Sequence, residues 1–251
     1  MVPGDASAAS IPVSRPQREA AGEPGVYKPP VGSLSPAAPR SSADTVLREL
    51  NLKRVGMAFL DYTDKYHYLP PSPKLARSHW GKDGRPKLSW RVHLLPFLDE
   101  ADRQLYAQFR HDEPWDSAHN LVLLPSMPRA YKTTSDLTNT SLMLLVGNGA
   151  AYGDDGKGPS PDDFKDRMGY TILMVDAGPG KVVPWTKPED LSFVPDDPLS
   201  PLSLSDQEKI MVMFADSMVW NLATDMPPAH WRGLITRAGG ERVDYFPYRR
   251  P

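Results

Sequence analysis

Five aspartates crowd one Gly/Pro-rich stretch: Asp154, Asp155, Asp162, Asp163 and Asp166. Carboxylates on flexible backbone are the hard oxygen ligands that calcium takes. Asp154, Asp155, Asp162 and Asp163 are therefore the calcium candidates of this chain. Their spacing departs from that of the helix–loop–helix calcium loop. A solvated acidic loop accounts for the same residues, because like charges stay in water when nothing neutralises them.

A second group is His111, Asp112, Glu113, Asp116 and His119. Asp116 and His119 are three apart, which puts them on one face of a helix. Imidazoles with carboxylates suit zinc, iron or manganese. The plainer reading makes Asp116 the cap of the helix that follows Trp115, and His119 a locally hydrogen-bonded side chain. Other signatures fail. No Gly-x-Ser-x-Gly elbow and no His-Glu-x-x-His helix is present. The run Gly153 to Gly158 imitates a phosphate loop, but Gly158 stands where serine or threonine is needed and Ala151 where glycine is. A dinucleotide fingerprint is missing too. The expectation is a protein that is not an enzyme and carries no cofactor other than the calcium just considered.

Composition narrows the partners. The net charge is −2, so binding of nucleic acid through bulk charge is not expected. No cysteine is present, which removes disulfides, thiol catalysis and cysteine-bound zinc. The longest unbroken apolar run, Ile210 to Ala215, falls far short of the roughly 20 residues of a spanning helix. The first thirty residues hold no basic start followed by an apolar core, which leaves a cytoplasmic location open.

Prolines (28) and glycines (18) argue for many loops. Residues 1–40 alone hold eight of the prolines, and their few large apolar residues follow neither a strand nor a helix period. They read as a disordered Pro/Ala/Ser-rich arm, with a strand near Val26–Val31 as the alternative. A single domain over 41–251 follows. Ser41 with Asp44 three residues on starts a long helix. Val46, Leu47, Leu50, Val55, Ala58, Phe59, Tyr62 and Tyr66 give it a wide apolar face, and Pro70-Pro71 stops it. Gly56 inside it costs about 1 kcal/mol against alanine, so close packing is its expected reason, with a kink as the alternative. Short helices are expected over Ala101–Phe109 and Asn120–Leu124. Strands are expected over Ser141–Val146, Tyr170–Val175, Lys181–Val183, Ile210–Ala215 and Met218–Leu222, the last two joined by a hairpin turn at Ala215-Asp216-Ser217. A last helix opens at Asp225-Met226-Pro227-Pro228, capped near Asp225, and ends on a left-handed Gly239-Gly240. Helices first and strands later give an α+β fold: a long N-terminal helix packed on a mostly antiparallel sheet, with extra short helices and long loops. Trp90, Trp115, Trp185, Trp220 and Trp231 are expected to pack in the core. Asn139-Thr140-Ser141 is a glycosylation sequon.

Several strings carry a family resemblance. They are Asn51-Leu52-Lys53-Arg54-Val55-Gly56-Met57-Ala58, Leu69-Pro70-Pro71, Ser89-Trp90-Arg91-Val92 with Leu94-Leu95-Pro96-Phe97-Leu98, and Asp112-Glu113-Pro114-Trp115-Asp116-Ser117. Val183-Pro184-Trp185-Thr186-Lys187-Pro188-Glu189-Asp190-Leu191, Phe214-Ala215-Asp216 and Leu234-Ile235-Thr236-Arg237 follow. Over roughly residues 45–241 the chain resembles the large planctomycete paralogous family of unknown function whose members look like type IV pilins, also labelled solute-binding-like. The resemblance implies a pilin-like head, an extracytoplasmic or cell-surface location, and pilin-like or other surface proteins as partners. It also implies a prepilin-type leader with an apolar helix, and a histidine followed after nine residues by Asp-Gly. Here the proline-rich arm precedes residue 45, Ser217 replaces that glycine, and Asp206 replaces that histidine. An anchor is thus expected upstream of Met1 or to have been lost. The role expected is surface structure or adhesion; the alternative is a soluble module for a sugar, a peptide or calcium.

Overall fold

The computed structural model describes residues 42–71, 87–133, 135–153, 158–204 and 207–251. The expected arm over 1–40 and the alternative strand near Val26–Val31 lie outside these residues. All described residues fall in one compact unit, Leu34–Pro251.

The long helix forms as α1, Ser42–Tyr66, with Asp44 in its first turn and Lys65 in its last, each complementing the helix dipole. It ends before Pro70. His67 turns left-handed (φ 65°), and its amide donates back to the Thr63 carbonyl at 2.7 Å. The buried face is also narrower than the apolar pattern suggests. Leu52, Val55, Ala58, Phe59 and Tyr62 are buried, whereas Val46, Leu47, Leu50 and Tyr66 are exposed. In its first turns α1 turns the long side chain of Arg48 inward, to an ion pair with Asp176, and leaves the apolar residues beside it in solvent.

Short helices follow: α2 (Trp90–His93), α3 (Glu100–Tyr106) and α4 (Ala118–Val122). The strands are β1 (Asn139–Thr140), β2 (Leu142–Val146), β3 (Ile172–Asp176), β4 (Val183–Pro184), β5 (Leu191–Ser192), β6 (Lys209–Phe214), β7 (Val219–Ala223) and β8 (Arg249–Arg250), with α5 (Pro228–Ile235) between the last two. Six of them form a mixed sheet in the order β5-β2-β3-β6-β7-β8, while β1 and β4 pair separately. Only β2–β5 is parallel in the larger sheet. The two-residue strands β1, β5 and β8 are too short to leave a period in the sequence.

Both sheet faces are covered, so β2 and β3 are buried at every position. On one face Met143, Leu145, Ile210, Val212 and Leu222 pack with Trp231, Leu234 and Ile235 of α5. The other face meets α1. Three expected caps fall elsewhere. Ser117, not Asp116, caps α4 by accepting from the Asn120 amide at 3.1 Å. Pro227 occupies the N-cap of α5 and makes no side-chain capping bond, so Asp225 does not cap it. Helix α5 ends at Ile235, where Thr236 turns extended and bridges Ala150; the left-handed Gly240 belongs to the following loop.

Gly56 packs as expected. A β-carbon there would lie 2.8 Å from Ser217 Cβ and 3.0 Å from Met213 Sδ. Ser217 sits in the turn between β6 and β7 at φ 71° and donates its hydroxyl to the Gly56 carbonyl at 2.8 Å. Gly56→Ala is expected to cost about 1–3 kcal/mol from overpacking, despite alanine's helix advantage. In a Ser217→Gly background the same change becomes neutral or stabilising. The glycine removes the obstructing Cβ and accepts the left-handed turn, which offsets the lost hydrogen bond. Urea unfolding of the four proteins measures this coupling.

A second expectation comes from α3. Asp99 is its N-cap and accepts from the Asp102 amide at 2.9 Å. Partial burial, and then the nearby Asp99 carboxylate, push the Asp102 carboxyl up to about 6. A raised acid favours the folded state when protonated. That contribution is full below the unfolded value near pH 4 and is lost as pH rises through about 6. Asp102→Asn should therefore stabilise by about 1 kcal/mol at neutral pH, after allowance for solvent screening. The gain should vanish near pH 4, as chemical denaturation at the two pH values would show.

Candidate functional site

The chemistry-bearing residues of the most specific strings are buried and hold the edge of the sheet. Strand β5 pairs only with Leu145 and Val146 of β2. Beyond its end, the Leu142 carbonyl and the Leu144 amide face the same edge. Arg91 supplies the missing donors: Nε and Nη2 reach the Leu142 carbonyl at 3.2 and 2.5 Å. Asp190 supplies the missing acceptor, taking the Leu144 amide at 3.1 Å. Its same oxygen accepts from Trp90 Nε1 at 3.1 Å and meets Arg91 Nη2 at 3.4 Å. Arg91 also donates to Ser89 Oγ at 2.8 Å. Both charged side chains are fully buried. Burial lowers the Arg91 pKa, and the Asp190 charge opposes that. Two side chains thus stand in for a strand and give its free backbone groups their partners.

Four of the five tryptophans expected in the core are buried there: Trp90, Trp115, Trp185 and Trp231. Trp185 stacks on Tyr131 (centroids 6.0 Å apart), meets Phe109 edge-on and donates to the Leu124 carbonyl at 2.8 Å. Trp220 is half-buried under the Arg249 guanidinium, 3.5 Å from its ring. These five do not form an exposed platform for a sugar or peptide.

Of the calcium candidates, Asp154 and Asp155 lie outside the described residues. Asp162 and Asp163 share the short turn Pro161–Asp163. Asp163 caps that turn, accepting from the Ser160 amide at 2.8 Å and its hydroxyl at 3.0 Å. Those bonds hold its carboxyl below the usual range. Asp166 turns the other way and accepts from the amides of Gly239 and Gly240 at 2.6 and 2.9 Å. That ties the loop to the segment after α5.

The histidine group is not drawn together. His111 Nε2 lies 3.2 Å from the Tyr106 carbonyl and His119 Nε2 2.8 Å from the Gln108 carbonyl. A ring nitrogen facing a carbonyl carries the proton and is not a metal ligand. Among the described residues no three histidines or acids are placed to hold a metal ion. Asn139 of the sequon is buried in β1 and donates to Asp136 at 2.7 Å. Among the described residues no helix is long and apolar enough to cross a membrane.

Sequence reasoning missed what Arg91 and Asp190 do, although both stand in quoted strings. Their 99-residue separation leaves no local signal. It also missed Arg167, which sits at φ 70°, ψ 143° beside Asp166. Only a backbone could reveal that.

Residues 49–181 match the model of a family described as "Protein of unknown function (DUF1559)", with the short name SBP_bac_10, a bacterial solute-binding label. The match spans just over half of the chain and contains Arg91 but not Asp190. No curated protein and no solved structure matches.

Proposed function

The chain belongs to that family of unknown function, and on this premise we propose that it is a non-catalytic, pilin-like head domain displayed outside the cytoplasm, serving surface structure or adhesion. One observation carries the reading: the polar groups of its most specific strings are spent on holding a sheet edge and the loops beside it. The side chains of Arg91 and Asp190 face backbone and each other and are fully buried. The lie of α1 across an antiparallel hairpin, with Ser217 seated on Gly56, fits a head built on one long helix.

The test is genetic. Cells lacking the chain are compared with complemented cells for surface attachment and surface morphology. The reading expects a defect in at least one, restored by the wild-type chain. Unchanged surface properties together with loss of growth on a particular solute would contradict it and favour the ligand-binding alternative.

A further inference from the structure

A cleft of about 660 Å³ opens between residues 165–170 and residues 240–246. Its walls combine cations with rings. Lys165, Arg167 and Arg242 line it, with Tyr170 (39% exposed) and Phe246 (55% exposed). The acids of the same rim are engaged by the protein. Asp166 accepts from two backbone amides, and Asp244 from the Phe246 amide at 3.1 Å. Glu241 meets the Thr236 hydroxyl at 3.4 Å. The side chains of Lys165, Arg167 and Arg242 make no hydrogen bond or ion pair among the described residues; Lys165 only adds a through-space attraction to Asp163. The cleft therefore presents cationic donors that no side chain among the described residues holds, interspersed with acids held within the protein, beside the exposed ring of Tyr170; the Phe246 ring already carries the Arg249 guanidinium 3.9 Å from its centroid.

Arg167 adds a second, independent argument. Its φ of 70° with ψ of 143° lies at the edge of a region populated essentially by glycine alone. The surroundings enforce it. Its amide donates to Phe164, and its carbonyl accepts from Tyr170 and from the Thr171 hydroxyl. Asp166, just before it, is fixed to Arg237, Gly239 and Gly240. Glycine would satisfy this backbone without strain. An arginine that bears the strain and points no hydrogen bond into the protein is suited to a role outside it.

We propose that this cleft binds a small ring-bearing organic anion, its acid group held by Arg167, Arg242 and Lys165 and its ring laid against Tyr170. Guanidinium groups hold carboxylates through paired N–H donors, and aromatic faces take both sugar and aromatic rings. The inference does not depend on the surface role proposed above, and either can fail alone.

The test is an aromatic NMR titration of the full chain at constant ionic strength. Glucuronate and benzoate are the probes, one for each ring type. Glucose and phenol are neutral controls, and sulfate is the charge-only control. At least one acid should move the Tyr170 signals saturably, with every control at least roughly fivefold weaker. Which acid binds identifies the ring. Arg167→Gly should raise Tm while weakening that acid roughly fivefold or more, and Arg242→Ala should weaken it with Tm unchanged. The proposal is overturned by any of three results: no saturation by either acid at about 50 mM, a control that binds as well, or wild-type affinity in both variants.

Discussion

Replacing Arg91 with methionine is expected to destabilise the protein by about 3–5 kcal/mol, the cost of leaving a buried charge without its partner. Asp190 would keep its bonds to Trp90 and the Leu144 amide but lose the opposing guanidinium. The Leu142 carbonyl would lose both of its donors from Arg91. An ordinary buried ion pair is often replaced by apolar residues at little cost. This one is different, because each partner also satisfies a strand. Arg91→Met with Asp190→Leu should remain at least about 2 kcal/mol below wild type, since the Leu142 carbonyl and the Leu144 amide stay unmet. Urea unfolding of the two single variants and the double variant measures both numbers. A double variant as stable as wild type would show that the sheet edge needs neither side chain.

Gly158→Ala is expected to cost about 3 kcal/mol or more. A β-carbon at this position would overlap the Leu69 carbonyl, a backbone group that no rotamer change can move aside. The neighbourhood is tightly joined. The Leu69 amide donates to the Pro159 carbonyl at 2.9 Å, and the buried Tyr152 hydroxyl donates to the Pro70 carbonyl at 2.9 Å. Separating the two segments enough for a methyl group loses the first bond and stretches the second, each worth about 1 kcal/mol. Hydrogen exchange at the Leu69 amide should accelerate with the loss of stability. A cost under about 1 kcal/mol with Leu69 still protected would contradict the packing described.

The sequence disclosed the elements that carry a period. Helix α1, the β6–β7 hairpin and its Asp216-Ser217 turn, and α5 all appear where apolar spacing and turn residues place them. It also explained Gly56, since a glycine inside a helix needs a contact to justify it. What stayed hidden depends on partners distant in the chain. The exposed Val46, Leu47 and Leu50 match the apolar pattern of α1, but only the position of the sheet decides which side is covered. The strand-like role of Arg91 and Asp190 needs both ends of a long loop. Asp116 looks like a cap by type, yet Ser117 holds the position, because one residue of phase decides which side chain reaches the free amide. The cleft cations come from two segments brought together by the bonds of Asp166 and by Tyr245, whose ring meets Tyr170 edge-on.

The most direct test of the proposed role is where the native chain resides. Intact producing cells are treated with an external protease, and an antibody to the domain follows it through surface, membrane and cytoplasmic fractions. The account predicts a chain in the surface or membrane fraction that is degraded from outside while a cytoplasmic marker survives. A chain confined to the cytoplasmic fraction and spared by the protease would contradict the surface role.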